Sequence, residues 1–410
     1  MARSSRLLVV TAAIAAAGLV VTLPGGAAPS SGGYAPNDGG PGTITTVAGK
    51  SPSGYSGDGG QARDAAMNEP RMLTFDGAGT MYIVDTFNQV IRRVGHDGVI
   101  TTVAGHSTGY VPRKDADCRP NFSGENVPAR QATMSCPHSV AVAANGDLWI
   151  ADSANDVIRK VDHASGIITT VVGQGGRPGD DGDGGPASAA HIQGPKGIVF
   201  DANWNLLIAD SGNDKIKRLD ARTGVITTIA GTGETGVTGN GGPATAAKLS
   251  EPRTLAVAPD GSIFFTEPKE NIVRRIAPNG VITLFAGTGK AGFSGDGGPA
   301  SRAMLNFNRG VNVDGAGTVW IADSLNQRIR KVDANGIITT AAGTGKACYY
   351  SSNNTCGDGG PAAAAGFAVP RAMEFDDAGN MFIADTFNER IRRIDNFAGA
   401  IHHNTAPGPT

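Results

Sequence analysis

The stretch Ile44–Gly49 reads Ile-Thr-Thr-Val-Ala-Gly and returns unchanged at Ile100–Gly105. Short runs of β-branched and apolar residues that end in glycine are typical of strands followed by turns. Variants of the string occur four more times, which makes six copies in all, most of them about 56 residues apart. A period of this length indicates a repeat architecture rather than an ordinary globular core. The four variants begin at Ile168, Ile226, Ile282 and Ile338.

A second string also occurs six times and consists of an apolar triplet, an acid, a polar turn and a strand that carries basic residues. In the first unit it follows a strand at 72–75 and spans strands at 81–84 and 90–94, before the Ile100 string supplies a fourth strand. Four short strands joined by tight turns predict a small antiparallel sheet. Six such sheets bury their faces when they are arranged radially, so we expect an all-β fold, a six-bladed β-propeller of four-stranded blades. The acids are Asp85, Asp152, Asp210, Glu267, Asp323 and Asp385.

The ends of the chain predict how the ring closes. The first copy of the fourth-strand string, Ile44–Gly49, precedes any first strand, whereas residues 400–410 lack the string that the last unit needs. We therefore expect the N-terminal strand to complete the last blade.

The first residues resemble an export signal, since Arg3 and Arg6 precede an alanine-rich apolar run at 7–21. We predict a signal peptide at 1–28, a linker at 29–42, the propeller at 43–398 and a tail at 399–410. A secreted chain without a transmembrane helix is expected, because no second apolar stretch follows. We expect a monomer.

The four cysteines favour two local disulfides, since in an oxidising compartment paired cysteines are the rule. Cys118 and Cys136 lie close in sequence, as do Cys348 and Cys356. Net charge is -2 at pH 7, so no basic excess points to nucleic acid.

The repeat resembles the NHL repeat. The residues that carry the resemblance are Pro70-Arg71-x-Leu73-x-Phe75-Asp76 and the copy at Trp320–Val332, and the likeness extends over about residues 43–398. The resemblance implies a six-bladed propeller. It leaves function open, because the family includes partner-binding modules, sensor domains and a zinc-dependent amidating lyase.

The links between the units often contain Gly-Asp-Gly-Gly. The expected role of the aspartate is to accept backbone N–H groups within a glycine turn. A calcium ion at Asp181 and Asp183 is the alternative, although one or two carboxylates are few for an ion that takes 6 to 8 oxygens. We expect no cofactor.

A basic or potentially basic residue precedes the first strand of every unit. If the first strand is innermost, these six side chains meet at one end of the central channel, where they would attract an anion. The alternative is structural, with each cation paired to one of the repeated acids on the same face. The positions are Arg71, His138, Lys196, Arg253, Arg309 and Arg371.

These features favour a non-catalytic binding scaffold for a protein, a cell-wall polysaccharide or a small anion. Glu267 is added to the candidate ligand-binding residues because Pro268 breaks the repeat after it. A metal-dependent hydrolase or lyase at the channel mouth remains the alternative, with His138, Glu267 and Glu374 as acid–base groups. Only His138 among the histidines has a channel position, which is too few for a histidine zinc site.

Overall fold

The computed structural model describes residues 42–107, 117–351 and 354–397. The predicted signal peptide, almost all of the linker and the C-terminal tail lie outside these residues, so the boundaries proposed for them remain predictions. Among the described residues, no helix has the length and apolar character needed to span a membrane.

Twenty-six strands form six antiparallel sheets, each with four main strands, as the repeat predicts. Blade 6 takes its fourth strand, β1, from the start of the chain. The two-residue strands β6 and β19 extend the outer edges of blades 2 and 5. Strand β1 spans Ile44–Ala48, and blade 1 contains β2 (Pro70–Phe75), β3 (Met81–Asp85), β4 (Val90–Val94) and β5 (Ile100–Ala104). Blade 2 contains β6 (Val127–Pro128), β7 (Ser139–Val142), β8 (Leu148–Asp152), β9 (Val157–Val161) and β10 (Ile167–Val172), and blade 3 contains β11 (Gly197–Phe200), β12 (Leu206–Asp210), β13 (Lys215–Leu219) and β14 (Ile226–Ala230). Blade 4 contains β15 (Leu255–Val257), β16 (Ile263–Glu267), β17 (Ile272–Ile276) and β18 (Ile282–Ala286), blade 5 contains β19 (Gly298–Pro299), β20 (Gly310–Val313), β21 (Val319–Asp323), β22 (Arg328–Val332) and β23 (Ile337–Ala342), and blade 6 contains β24 (Pro370–Phe375), β25 (Met381–Asp385) and β26 (Arg390–Ile394).

The ring closes through β1, which confirms the predicted closure. Strand β1 pairs antiparallel with β26, with Ile44 opposite Ile394 and Thr46 opposite Arg392. Ile44 and Ala48 are completely buried in this position. The first strand of the described chain thus completes the last blade, so closure does not need a covalent bond between the ends.

The described residues also contain two sets of short 3-10 helices. One set lies in the links between the blades; the other forms the turn between the second and third strands of each blade. The link helices are Ala62–Asp64, Ala129–Gln131, Ala187–Ala189, Ala244–Ala246, Ala300–Arg302 and Ala362–Ala364. The turn helices, called the turn segments below, are Thr86–Asn88, Ser153–Asn155, Ser211–Asn213, Pro268–Glu270, Ser324–Asn326 and Thr386–Asn388.

The hydrophobic core is divided into six clusters, each shared by two neighbouring blades. In the cluster between blades 6 and 1, Leu73 and Ile83 of blade 1 pack with Phe382 and Ile391 of blade 6. Because every cluster needs both neighbours, no blade buries its apolar faces alone, and removal of water from these faces stabilises the closed ring.

Hydroxyl groups on four turn segments, those of Ser153, Ser211, Ser324 and Thr386, tie a blade to the next one at the channel end. The Ser324 hydroxyl donates to the Pro370 carbonyl of blade 6 (2.6 Å), and the Thr386 hydroxyl donates to the Pro70 carbonyl of blade 1 (2.9 Å). The innermost strands therefore start from fixed points around the channel.

The innermost strands approach one another closely near these starting points. A Cβ atom on Gly310 would lie 2.0 Å from the Arg371 carbonyl oxygen, and one on Gly197 would lie 2.0 Å from that of Arg253. Glycine is required at both positions for this approach. The channel is consequently narrow at the end where these strands begin.

Candidate functional site

The repeated acids lie inside the blades. Asp85 is completely buried and accepts hydrogen bonds from the backbone N–H of Asn68 (2.7 Å), the Asn88 side-chain amide (2.8 Å) and Arg92 (3.2 Å). Burial raises the pKa of Asp85 to about 6, and the charge of Arg92 opposes that rise. This acid therefore joins the link, the turn segment and the third strand of its own blade.

The acids of the Gly-Asp-Gly-Gly links bind the same arginines from the other side. Asp58 accepts a hydrogen bond from Arg92 (2.9 Å) and one from the Thr102 hydroxyl (3.2 Å). Asp296 and Asp358 do the same for Arg330 and Arg392. We expected each aspartate to accept bonds from its own glycine turn. Instead, these carboxylates accept bonds from the third and fourth strands and so fix the link to them.

The candidate calcium ligands in the third link have protein partners. Asp183 accepts hydrogen bonds from the Lys217 ammonium group (2.8 Å) and from the Thr228 backbone (2.9 Å), and Asp181 contacts His191. In the described part of the chain, no three His, Cys, Asp or Glu side chains are grouped so that they could hold a metal ion.

Glu267 departs from the pattern of the other blades. It is completely buried, 3.8 Å from Arg274, and one of its carboxyl oxygens, Oε2, has no hydrogen-bond partner. Burial raises its pKa to about 8, so the carboxyl is mostly protonated at neutral pH. The structure places Glu267 within blade 4 and does not bring it to the cavity described next.

All six basic positions meet at one cavity. Their side chains line the narrow end of the central channel around a volume of about 30 Å³, which is room for one or two water molecules. This convergence follows from the fold, because each residue lies within two positions of the first residue of the innermost strand of its blade. The lining positions are Arg71, His138, Lys196, Arg253, Arg309 and Arg371, called the basic ring below.

Within the described residues, the basic ring forms ion pairs with two glutamates that sequence reasoning did not single out. Glu69 contacts Arg71 (2.7 Å) and Arg371 (3.1 Å). Glu251 contacts Lys196 and lies 3.9 Å from Arg253. The structural alternative, pairing with the repeated acids, does not describe these contacts, because those acids bind the third-strand cations instead.

A simple sequence signal marks the two glutamates. Each stands two residues before its basic residue, in Glu69-Pro70-Arg71 and Glu251-Pro252-Arg253, whereas the other four units have no acid there. Five of the six ring positions are formal cations, and in the described part of the chain two carboxylates form ion pairs with them. Nearby Glu389 accepts the Glu69 N–H (2.5 Å), and burial raises its pKa to about 8, so at neutral pH it adds little negative charge.

Arg371 is the most confined member of the basic ring. It is 7% exposed, and its Nε and Nη1 atoms have no hydrogen-bond partner. Burial and the neighbouring charges of Arg71 and Arg309 lower the pKa of Arg371 well below its ordinary value. A guanidinium group keeps its proton in proteins, so a negative charge bound beside Arg371 would offset the repulsion from its neighbours and the loss of hydration.

His138 takes part in the basic ring as a neutral hydrogen-bond acceptor. Its Nδ1 lies 2.9 Å from the Cys136 carbonyl oxygen and its Nε2 lies 2.8 Å from Nη1 of Arg71. A carbonyl can only accept, so Nδ1 carries the proton and Nε2 accepts from Arg71. This tautomer orients Arg71 and leaves the positive charge on the arginines and Lys196.

The other end of the channel is wide. Its cavity of about 630 Å³ is lined mainly by apolar residues of the innermost strands, and also by Asn312 and Glu374. The Asn312 amide donates to Glu374 (3.0 Å). His138, Glu267 and Glu374, the candidates for acid–base chemistry, thus occupy three separate places: the narrow end, the interior of blade 4 and the wide end.

Both predicted disulfides are present. Cys118 is joined to Cys136 and Cys348 to Cys356, with Cα atoms 6.0 Å and 5.7 Å apart. The second bridge belongs to the ring-bearing face, because the Cys348 carbonyl accepts a hydrogen bond from Asn388 of a turn segment (3.0 Å). Parts of both bridged loops, 108–116 before the first bridge and 352–353 within the second, lie outside the described residues.

Comparison with known proteins agrees with the repeat. A family model described as the teneurin NHL domain matches residues 49–123 and 289–346, and the NHL repeat model matches residues 134–156. NHL repeat-containing protein 2 of Gallus gallus is 26% identical over 372 residues, which are 80% of this chain and 46% of that protein. Teneurin-1 of Mus musculus is 29% identical over 243 residues, 55% of this chain and 8% of that protein.

Solved structures share the fold at low sequence identity. An auxiliary nutrient binding protein from Bacteroides thetaiotaomicron is 18% identical, with a TM-score of 0.59 over 85% of this chain and 75% of that chain. A protein of unknown function from the same organism is 20% identical, also with a TM-score of 0.59, over 86% of this chain and 75% of that chain. The chain spans less than half the length of the curated relatives named above. At this identity the likeness concerns the fold.

Proposed function

Since the chain belongs to the NHL-repeat proteins, we propose that it is a binding scaffold whose basic ring holds an anionic group of its partner. The observation that carries the proposal is Arg371, a buried guanidinium crowded by like charges with two nitrogens that lack hydrogen-bond partners. Natural proteins satisfy nearly all buried polar groups, and an exception calls for an explanation such as a ligand. A carboxylate, phosphate or sulfate group supplies both the charge and the acceptors.

The ring-bearing face also suits a scaffold. The links, the turn segments and the Cys348–Cys356 bridge surround the basic ring, and loops on a rigid framework are common places for recognition. The partner is a protein, a cell-wall polysaccharide or a small anion. The basic ring requires only that the partner carry an anionic group.

Secretion and a monomeric state belong to the same proposal. Two disulfides among four cysteines support an oxidising compartment outside the cytoplasm. The signal peptide at 1–28 would direct the chain there, and the propeller closes on itself through β1 without a second copy.

The test is anion-dependent stabilisation of the full chain. Sulfate is titrated against chloride at constant ionic strength, and the melting temperature is recorded. We expect a saturable rise, because a ligand that binds the folded state stabilises it by mass action. Arg371→Gln should abolish the rise, whereas Arg218→Gln, an exposed arginine on β13, should keep it. Equal rises in both variants, or no saturable rise in the unsubstituted protein, would refute anion binding at the ring.

A further inference from the structure

Exposed large apolar side chains are concentrated on one side of the propeller. Of the six such side chains among the described residues, five belong to blades 5, 6 and 1 or to the links that lead into them. The sixth, Val237, lies in the link before blade 4. The five are Tyr55, Phe293, Leu325, Tyr349 and Phe387.

These side chains share the face that bears the basic ring. Leu325 and Phe387 lie on turn segments, and the asparagine that follows each of them donates a hydrogen bond to the link beside it. Asn326 donates to the Gly292 carbonyl (2.7 Å), next to Phe293, and Asn388 donates to the Cys348 carbonyl (3.0 Å), next to Tyr349.

Two of the apolar residues lie beside the basic ring. The Arg371 guanidinium lies 5.7 Å from the centre of the Phe387 ring. The Ser324 hydroxyl, one residue before Leu325, accepts a hydrogen bond from the backbone N–H of Arg309 (3.3 Å). Leu325 and Phe387, which are 46% and 42% exposed, therefore form an apolar rim on one side of the basic ring, called the apolar rim below.

The opposite side of the mouth has a different character. The equivalent positions of blades 2, 3 and 4 are Ala154, Gly212 and Lys269, and Lys269 is paired with Glu251 (2.6 Å). The mouth is thus apolar on one side and polar on the other. A ligand that fits it has an anionic group and, directly beside it, apolar groups on one side only.

The size and shape of the mouth restrict how that ligand enters. A cavity of about 30 Å³ has room for a small anionic group such as a carboxylate. The turn segments lie at the same end of the blades as the basic ring, so we expect a chain end to enter more easily than an internal loop, which must bring two strands through the same opening.

We infer that the partner is a polypeptide C-terminus with apolar final residues, whose carboxylate enters the basic ring while its side chains pack on the apolar rim. Capture of a terminal carboxylate by clustered donors is a known mode of peptide recognition. The inference rests on the proposed anion site and adds the class of partner and the orientation of its chain.

The test compares short peptides that differ in one feature. Acetyl-Gly-Ala-Leu-Leu with a free C-terminus is titrated by calorimetry beside its C-terminal amide and beside acetyl-Gly-Ala-Ser-Ser with a free C-terminus. We expect amidation to weaken binding about tenfold or more, since it removes a charge-assisted interaction with arginine. The serine peptide should bind several-fold to about tenfold more weakly, because it loses apolar contact.

Variants of the protein locate these effects. Leu325→Ser and Phe387→Ser should each weaken binding of the leucine peptide by roughly threefold to tenfold, and Leu325→Ser should leave the sulfate titration unchanged. Val237→Ser, an equally exposed apolar position outside the apolar rim, serves as the matched control and should change neither. Arg371→Gln should weaken the binding of both the leucine peptide and sulfate. Unchanged melting temperatures verify the fold of the three surface variants.

The outcomes separate the two proposals. If sulfate binds through Arg371 but the free acid and the amide bind equally, or if rim variants bind the leucine peptide normally, the peptide inference is wrong and the anion site stands. An internal Glu peptide, Ala-Leu-Glu-Leu-Ala blocked at both ends, that binds as tightly as the free acid also overturns it. If sulfate itself does not bind, the proposed function fails.

Discussion

Arg92 and Arg371 are both buried arginines, yet their surroundings differ in kind. Arg92 lies inside blade 1, where Asp85 and Asp58 each accept from it and the Ser56 carbonyl accepts a third bond, whereas its Nε has no hydrogen-bond partner. Arg371 lies at the channel mouth, where it shares Glu69 with Arg71 and has two nitrogens without hydrogen-bond partners.

The difference separates structural charge from charge that is available to a ligand. In the blades, the arginine or lysine of the third strand binds acceptors of its own blade and of the link before it. At the mouth, cations from different blades are brought together, and among the described residues Glu69 and Glu251 are the carboxylates that pair with them. A charge that the fold does not neutralise costs stability and is therefore a reason to expect a ligand.

The largest expected effect is the loss of an acid from a blade. Asp85→Ala leaves Arg92 buried with one fewer carboxylate and leaves the Asn68 N–H without its acceptor, so the free energy of unfolding should fall by about 3–5 kcal/mol. The measurement is denaturant unfolding at pH 7. Asp64→Ala, at an exposed acid of the first link helix, is the control and should stay within about 0.5 kcal/mol. A loss below about 1 kcal/mol for Asp85→Ala would show that the blade pairs are not structural.

A second prediction uses the exceptional acid of blade 4. The pKa of Glu267 is raised by burial to about 8, so the folded state retains a proton that the unfolded chain releases above its ordinary pKa of about 4.5. The stability that this group contributes is therefore present at low pH and is lost as the pH rises from about 5 to about 8. Glu267→Gln cannot ionise, so its stability should fall less over this range.

The corresponding measurement is the unfolding free energy at several pH values between 5 and 8.5. The slope should be reduced in Glu267→Gln and not abolished, since the pKa of Glu389 is raised by burial in the same direction. Glu234→Gln, at an exposed position, should keep the original slope. A slope for Glu267→Gln equal to that of the unsubstituted protein would mean that Glu267 does not titrate as inferred.

The smallest expected effect is that of Arg371→Gln on stability in buffer without sulfate or phosphate. The substitution removes a buried charge that its neighbours repel, so the unfolding free energy should stay within about 1 kcal/mol of the original value or increase slightly. Denaturant unfolding measures the change. Arg92→Gln is the same substitution inside a blade, and there we expect a clear loss of unfolding free energy. Equal losses for the two variants would remove the distinction between the blades and the mouth.

Sequence reasoning predicted the basic residues of the site and missed the acidic residues that pair with them. The six basic positions were identified from their place before each first strand, and the structure gathers them at one cavity. Their partners Glu69 and Glu251 were missed, although an acid two residues before the basic position was visible in only two units. Glu267 stood out because Pro268 follows it, yet its side chain lies inside the blade.

The order and spacing of the repeats by themselves determined the blade number, the strands and the closure through β1, because these depend on local patterns that recur along the chain. The pairing of charges was decided only by the tertiary structure. Glu69 and Arg371 lie at nearly opposite ends of the described chain and meet only because the ring closes and places blade 6 beside blade 1. Electrostatic interactions depend on distance and burial, and neither is fixed by position along the chain.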